Sequence, residues 1–227
     1  TTLLSKNDGS LEEEDETFGS LYDPLTTIRD NYKLKMDKKW NIQGYMSYKF
    51  AKHFTARVDL GYQSRHIATD RYYGPTTYFA RNTGRPGIEG GTAQLQVTDE
   101  YSTVLTNHNT LEWKQTFEND HNVSVLVGEE TVIRKGETKN QYGFGYKGSY
   151  DVLNGEIFNY LGQAAYSEFT NYVDPRDNQL SFLARANYDY KGRYYITATF
   201  RADCSSRFAE GNQWGYFPDR KSTRLNS

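Results

Sequence analysis

The sequence predicts an all-β fold, on three observations. Apolar and polar residues alternate with a period of two in three pairs of segments, as they do in strands with one apolar face. Tyrosine is very abundant at 20, with 12 Phe and 3 Trp, and aromatic side chains favour strands and wet boundaries. Proline and methionine are few, at 5 and 2.

The first pair begins at Trp40. In "WNIQGYMSYKF" the positions Trp40, Ile42, Gly44, Met46, Tyr48 and Phe50 are apolar or small, and Asn41, Gln43, Ser47 and Lys49 are polar. After the short turn "AKH", "FTARVDLGY" sets Phe54, Ala56, Val58, Leu60 and Tyr62 against Thr55, Arg57 and Asp59. These two segments predict a hairpin. In the second pair, "TVLTNHNTLEWKQTF" and "HNVSVLVGEETVI" flank the turn "END", with Leu111, Trp113 and Phe117 continued by Val123, Val125 and Val127. The third pair is the cleanest. "LSFLARANYDY", "KGR" and "YYITATFRAD" set Leu180, Phe182, Ala184, Ala186, Tyr188 and Tyr190 against Tyr194, Ile196, Ala198, Phe200 and Ala202.

Between the pairs lie about 40 residues from Tyr62 to Thr103 and about 45 from Ile133 to Leu180, connections of a length compact domains reserve for function. Short turns at one end, long loops at the other, strands of about ten residues and aromatics near the strand ends together predict a wall of a transmembrane β-barrel. A soluble β-sandwich alternates equally well and is the alternative. Loop length favours the barrel, as do Arg57, Asp59, Arg185, Asp189, Arg201 and Asp203, which all fall on the polar faces where a hydrated lumen lets charges pair. Six strands do not close such a barrel, since the smallest have about eight. The chain is therefore expected to be part of a larger one.

Composition removes other classes. A net charge of −2 over 227 residues argues against nucleic acid as a partner, and a mean hydropathy of −0.86 against a continuous apolar membrane helix. The 36% of hydrophobic residues, even with 19 Gly, falls just below the usual globular range. The single cysteine, Cys204, has no partner for an internal disulfide, and no Cys/His cluster has metal-ligand spacing, so neither metal nor cofactor is expected. Four scattered histidines make no triad, and neighbours Glu129 and Glu130 point to opposite faces of a strand. No enzyme is predicted. The opening "TTLLSKNDGS" has neither a charged nor an apolar leader segment. The acidic run Leu11 to Glu16 lacks the spaced ligands of a calcium loop and reads as a solvated segment.

The stretch "NYDYKGRYYITATFRAD" followed by "SSRFAEGNQWGYFP" resembles the barrel signature of SusC/RagA-type TonB-dependent outer-membrane transporters, over about Leu180 to Pro218. "TLEWKQTF" and "NVSVLVGEE" fit the same pattern with less specific motifs. The resemblance implies a large barrel in the cell outer membrane, contacting its lipid, with turns at Ala51, Asn119 and Gly192 facing the periplasm. It implies import of oligosaccharides or peptides, a SusD-like lipoprotein over the extracellular mouth, and TonB acting through a plug this stretch lacks. A passive porin and a soluble carbohydrate-binding β-domain remain the alternatives. Cys204 stands where the family usually has Gly, and a Gly there would serve a positive φ.

Residues 1–39 are thus expected as a loop and strand lead-in, 40–218 as partial barrel, and 219–227 as a non-native tail, because "DRKSTRLNS" does not alternate. Two loops offer planar aromatics of the kind that stack on sugar rings. "DRYYGPTTYFARNTGRPG" carries Tyr72, Tyr73, Tyr78 and Phe79 beside Arg71, Arg81 and Asn82, and "GNQWGYF" carries Trp214, Tyr216 and Phe217. The other reading of both is a loop packed on itself or on a partner cap.

Overall fold

The computed structural model describes residues 24–82, 85–88, 90–118, 120–146 and 156–224. A short helix α1 (Pro24–Arg29) leads into β1 (Asn31–Phe50), and β2 (Phe54–Tyr73) returns beside it. Helix α2 (Tyr78–Asn82) precedes β3 (Ala93–Phe117) and β4 (His121–Tyr146). A 3₁₀ segment (Glu156–Gln163) is followed by β5 (Tyr166–Val173), β6 (Asp177–Tyr190), β7 (Tyr194–Ser205) and β8 (Trp214–Arg224).

All eight strands belong to one sheet, ordered β1-β2-β3-β4-β6-β7-β8, with β5 paired to β4. The three expected hairpins are β1-β2, β3-β4 and β6-β7, and the fold is the antiparallel one predicted. Among the described residues β1 and β8 end the sheet without pairing to each other, so it is not closed.

Three features differ from expectation. All the strands but the eight-residue β5 are longer than ten residues, reaching 20 in β1 and 26 in β4. Alternation marks a strand only where its two faces meet different media, whereas the backbone ladder needs no such contrast. Two further strands, β5 and β8, are present. Trp214 to Phe217, expected in a loop, begin β8, and Asp219–Arg224 continue it, in register with β7 from Cys204↔Trp214 to Tyr194↔Arg224. Pro218 lacks the N–H a central strand needs but is tolerated here, because β8 ends the sheet. Cys204 lies within β7 and is not among the residues of positive φ, so its backbone makes no demand for glycine.

The turns explain the hairpins. At β6-β7 the amide of Arg193 donates to the Tyr190 carbonyl at 3.0 Å, and Lys191 and Gly192 have φ of 54° and 65°. Two positive φ values give the type I′ turn that matches strand twist. The Gly192 amide also donates to Asp189 at 2.9 Å. Hydrogen bonds to Tyr190 and then Asp120 hold the Lys191 ammonium above its ordinary pKa. The expected turn at Asn119 lies outside the described residues, as does the acidic run.

The chain divides into two compact units. One comprises Thr1–Asp37, Ile67–Glu100 and Thr138–Tyr172. Its core is Ala93, Leu95, Tyr146 and Ile157, with Tyr72, Phe158, Leu161 and Ala164 against it. Leu95 and Ile157 are both 1% exposed, each burial stabilising by about 2 kcal/mol. The Tyr146 hydroxyl donates to the Leu161 carbonyl at 3.1 Å. The other unit comprises Lys38–His66, Tyr101–Glu137 and Val173–Ser227, and there the sheet carries the two faces described next.

Candidate functional site

In this second unit the ladders fix which side chains share a face. Val123, Val125 and Val127 of β4 lie opposite Tyr188, Ala186 and Ala184 of β6. Those residues lie opposite Ile196, Ala198 and Phe200 of β7. The result is one apolar surface, which ordinary folding would bury. Instead Val127 is 46% exposed, Ile196 48% and Met46 75%. Monomeric soluble proteins rarely leave so continuous a patch open.

Aromatic rows bound this surface on two sides. Near the turns, Phe50 stacks on Tyr48 and Phe54 with centroids 6.1 and 5.5 Å apart, Trp113 meets Phe117 at 6.3 Å, and Tyr190 meets Tyr194 at 6.4 Å. In the other row Trp214 stacks on Phe182 at 6.1 Å and on Tyr216 at 6.5 Å, and Tyr216 on Phe200 at 6.3 Å. From Tyr190 to Phe182 the strand advances about 27 Å at ~3.4 Å per residue. A strand tilt of 35–45° reduces that to about 20 Å, close to the apolar band of a membrane barrel. Glu129 shares the apolar face, opposite Phe182, and so sits at the band's edge. Its carboxylate accepts from Asn109 at 2.8 Å and from the Thr131 hydroxyl. Glu130 faces Ser181 on the other side, as the sequence required.

The opposite face is polar and internally paired. Arg201 donates through Nε to Asp203 at 2.7 and 3.0 Å, and through Nη2 to Ser181 at 3.3 Å and Glu130 at 3.5 Å. Asn187 bridges three strands, donating to Ser124 and accepting from Thr197, each at 3.0 Å. Arg57 grips Asp59 at 2.6 and 2.8 Å, its guanidinium 4.2 Å from the Tyr45 ring centroid. Charges that pair along a wall while keeping solvent contact suit a watery lumen.

The sequence-predicted aromatics fall in different places. Tyr72 and Tyr73 end β2 rather than occupying a loop. Tyr72 packs on the core of the first unit. Tyr73 is 8% exposed, stacked on Phe79 at 4.3 Å and capped by the Arg71 guanidinium at 4.5 Å, so its ring faces are occupied. Tyr78 and Phe79, in α2, stay 59% and 42% exposed. Trp214 and Tyr216 belong to the second unit, on its apolar face, opposite Cys204 and Ala202. Among the described residues no group of three His, Cys, Asp or Glu is placed to hold a metal, and no helix is long and apolar enough to cross a membrane. Sequence reasoning missed the second aromatic row, because Phe182, Phe200 and Trp214 become neighbours only through the β6-β7-β8 ladders.

No protein-family model matches the chain. It is 30% identical over 178 residues to TonB-dependent receptor P39 of Formosa agariphila, covering 78% of this chain and 16% of that protein. It is 26% identical over 174 residues to TonB-dependent receptor P3 of the same organism, covering 77% of this chain and 16% of that protein. Over 43 residues, 19% of this chain and 4% of the relative, it is 46% identical to the TonB-dependent receptor SusC of Bacteroides thetaiotaomicron. Among solved structures, that of the RagAB peptide transporter superposes with a TM-score of 0.71 at 20% identity, covering 85% of this chain and 20% of that one. The chain therefore spans about a sixth of the length of the first two relatives.

Proposed function

Because the chain is a length of barrel wall of a SusC/RagA-type TonB-dependent receptor, we propose that it lines an importer in the bacterial outer membrane, one that takes up oligosaccharides or peptides. One observation carries this reading: a single sheet with an exposed apolar face between two aromatic rows and a paired, charged face behind it. The apolar face meets lipid and the polar face meets the lumen. A SusD-like lipoprotein closes the mouth, and TonB acts on a plug carried elsewhere in the receptor. The wall has no catalytic role.

On this reading Trp214 and Tyr216 anchor the wall at the lipid interface, as amphipathic rings do. Tyr72 and Tyr73 pack the first unit, while Tyr78 and Phe79 keep the exposure that contact with substrate or cap requires. Residues 219–227 are proposed as non-native. Support comes from β8, where the row begun by Trp214, Tyr216 and Pro218 passes to Arg220 and Ser222, opposite Ala198 and Ile196. An arginine on the lipid face costs about 2–4 kcal/mol at mid-bilayer.

Long-read sequencing of the source DNA tests the assignment. The expected frame runs upstream through a plug and a signal peptide, continues past Pro218 as another alternating strand, and neighbours a lipoprotein gene. A frame that opens near Thr1 and closes soon after Ser227 would instead mark a small independent β-domain.

A further inference from the structure

A cleft of about 350 Å³ opens on the apolar face of the second unit, just beyond the aromatic row of Phe182 and Trp214. Its near end is lined by Leu180 and Cys204, the pair that follows Phe182 and Ala202 on that face, with Trp214 across from Cys204. Asn178 and Ser206 come next, and Arg176 lies at the far end, in the β5-β6 turn where the two faces meet. The lining thus passes from apolar to polar along the strands. Leu180 stands two residues beyond Phe182, which for tilted strands is about 5 Å along the membrane normal. The headgroup layer is about 5–7 Å thick on each side of the hydrocarbon. The cleft therefore sits where acyl chains give way to headgroups.

Ser206 fixes the far end. Its amide donates to the Asn178 carbonyl at 2.9 Å, and its hydroxyl accepts from the Asn178 amide at 2.8 Å and donates to the Arg176 carbonyl at 2.9 Å. The backbone that carries Arg176 is thereby tied to β7. Arg176 is the one charged residue lining the cleft, and no carboxylate lines it. On the luminal side Asp177 accepts from Arg207 at 2.7 Å and lies 3.7 Å from Arg134, so the neighbouring carboxylate is already taken. Lys135 follows Ile133 on the outward face, but Glu137 follows Lys135, and those two charges offset. Other polar groups of the cleft are spent within the fold: the Gln213 amide on the Phe208 carbonyl at 3.3 Å, and the Thr131 hydroxyl on Glu129. Among the described residues the Arg176 guanidinium has no ion-pair partner, and its planar fork of five N–H donors fits phosphate oxygens through two bonds. Phosphate is the anionic group that membrane lipids hold at this depth.

We propose that this cleft holds the phosphate of an anionic lipid in the leaflet at the long-loop end, with Arg176 as its donor and Leu180 and Cys204 against the first carbons of its acyl chains. The inference rests on the reading of this sheet as a barrel wall whose apolar face meets lipid. It assigns Arg176 to the membrane side rather than to the lumen, where Arg134 and Arg207 share Asp177.

The test uses the complete receptor, stripped of lipid in detergent and titrated with dipalmitoyl phosphatidate or with uncharged dipalmitoylglycerol, bound lipid being counted by native mass spectrometry. The parent is expected to retain phosphatidate in preference, and R176Q to lower that preference about fivefold, as the loss of one cation beside a headgroup implies. R176K, which keeps the charge without the fork, falls between them. K135Q changes the preference by less than about twofold, because Glu137 offsets its charge. Should R176Q misfold, R176K and K135Q decide: equal effects of the two mean general surface charge and overturn the proposal, as does a parent without preference. Inorganic phosphate in excess leaves the bound lipid in place, and its displacement would make the cleft a soluble-anion site and overturn the lipid assignment. A spin label at Ala198→Cys, in a Cys204→Ala background in liposomes, separates the two levels. Oxygen reaching that label without any phosphate preference sinks only the lipid site, and a nickel chelate reaching it sinks the lipid-facing wall as well.

Discussion

Arg201 joins three strands through one guanidinium, reaching Asp203 on its own strand, Ser181 on β6 and Glu130 on β4. Its side chain is 43% exposed, so water screens the pairing. Arg201→Met is expected to lower unfolding stability by about 1 kcal/mol or less, and E130Q to cost less in that background than in the parent. Urea titration of the receptor in detergent checks both. Backbone conformation carries more at Gly192, whose φ of 65° suits glycine. Gly192→Ala is expected to cost about 1 kcal/mol in the same titration. Individual residues were only partly legible in the sequence. Alternation places Arg201 and Asp203 on the polar face and sets Glu130 opposite to Glu129, but the distance from Asp177 to Arg207 depends on a turn whose course no spacing encodes. Cys204, where the family resemblance implies glycine, occupies an ordinary strand position with Leu180 and Trp214 across the ladders.

Strand β7 separates the two environments most cleanly, with Ile196, Ala198 and Phe200 on one face and Thr197 and Thr199 on the other. Ile196→Arg is expected to destabilise the bilayer-inserted receptor by about 2–4 kcal/mol. Thr199→Glu, which faces Arg185 across the ladder, should change stability by less than about 1 kcal/mol. Comparable losses from the two in liposome unfolding would remove the distinction between faces. The elements were legible where that distinction exists. β6 and β7 stood out because each alternate residue is apolar for the length of the band. β1 begins at Asn31, nine residues before Trp40, and there Tyr32, Leu34 and Met36 alternate with Lys33, Lys35 and Asp37. Residues 63–73 of β2 gave no such signal: "QSRHIATDRYY" is polar on both sides and strand only by its backbone pairing. β8 was hidden by Pro218 and by the cations after it.

At the scale of the molecule, a sheet that ends at β1 and β8 and leaves its apolar face open does not stand alone in water. The isolated chain in buffer without detergent is expected to elute as aggregate, and light scattering that finds a monodisperse monomer would support a soluble β-domain instead. The barrel class was visible in the sequence because hairpin periodicity and loop length are properties of a single chain. Barrel closure, and the plug and lipoprotein cap that the family resemblance implies, are not properties of these strands, so neither composition nor periodicity points to them. Accessibility along β7 separates a lipid-facing wall from a sheet wet on both faces. Single cysteines at 194–200, in a Cys204→Ala background of the complete receptor in liposomes, would carry spin labels relaxed by oxygen from the lipid or by a nickel chelate from water. A wall between lipid and lumen gives opposite phases, with oxygen reaching residues 194, 196, 198 and 200 and the chelate reaching 195, 197 and 199. Uniform access of the chelate along all seven positions would contradict it.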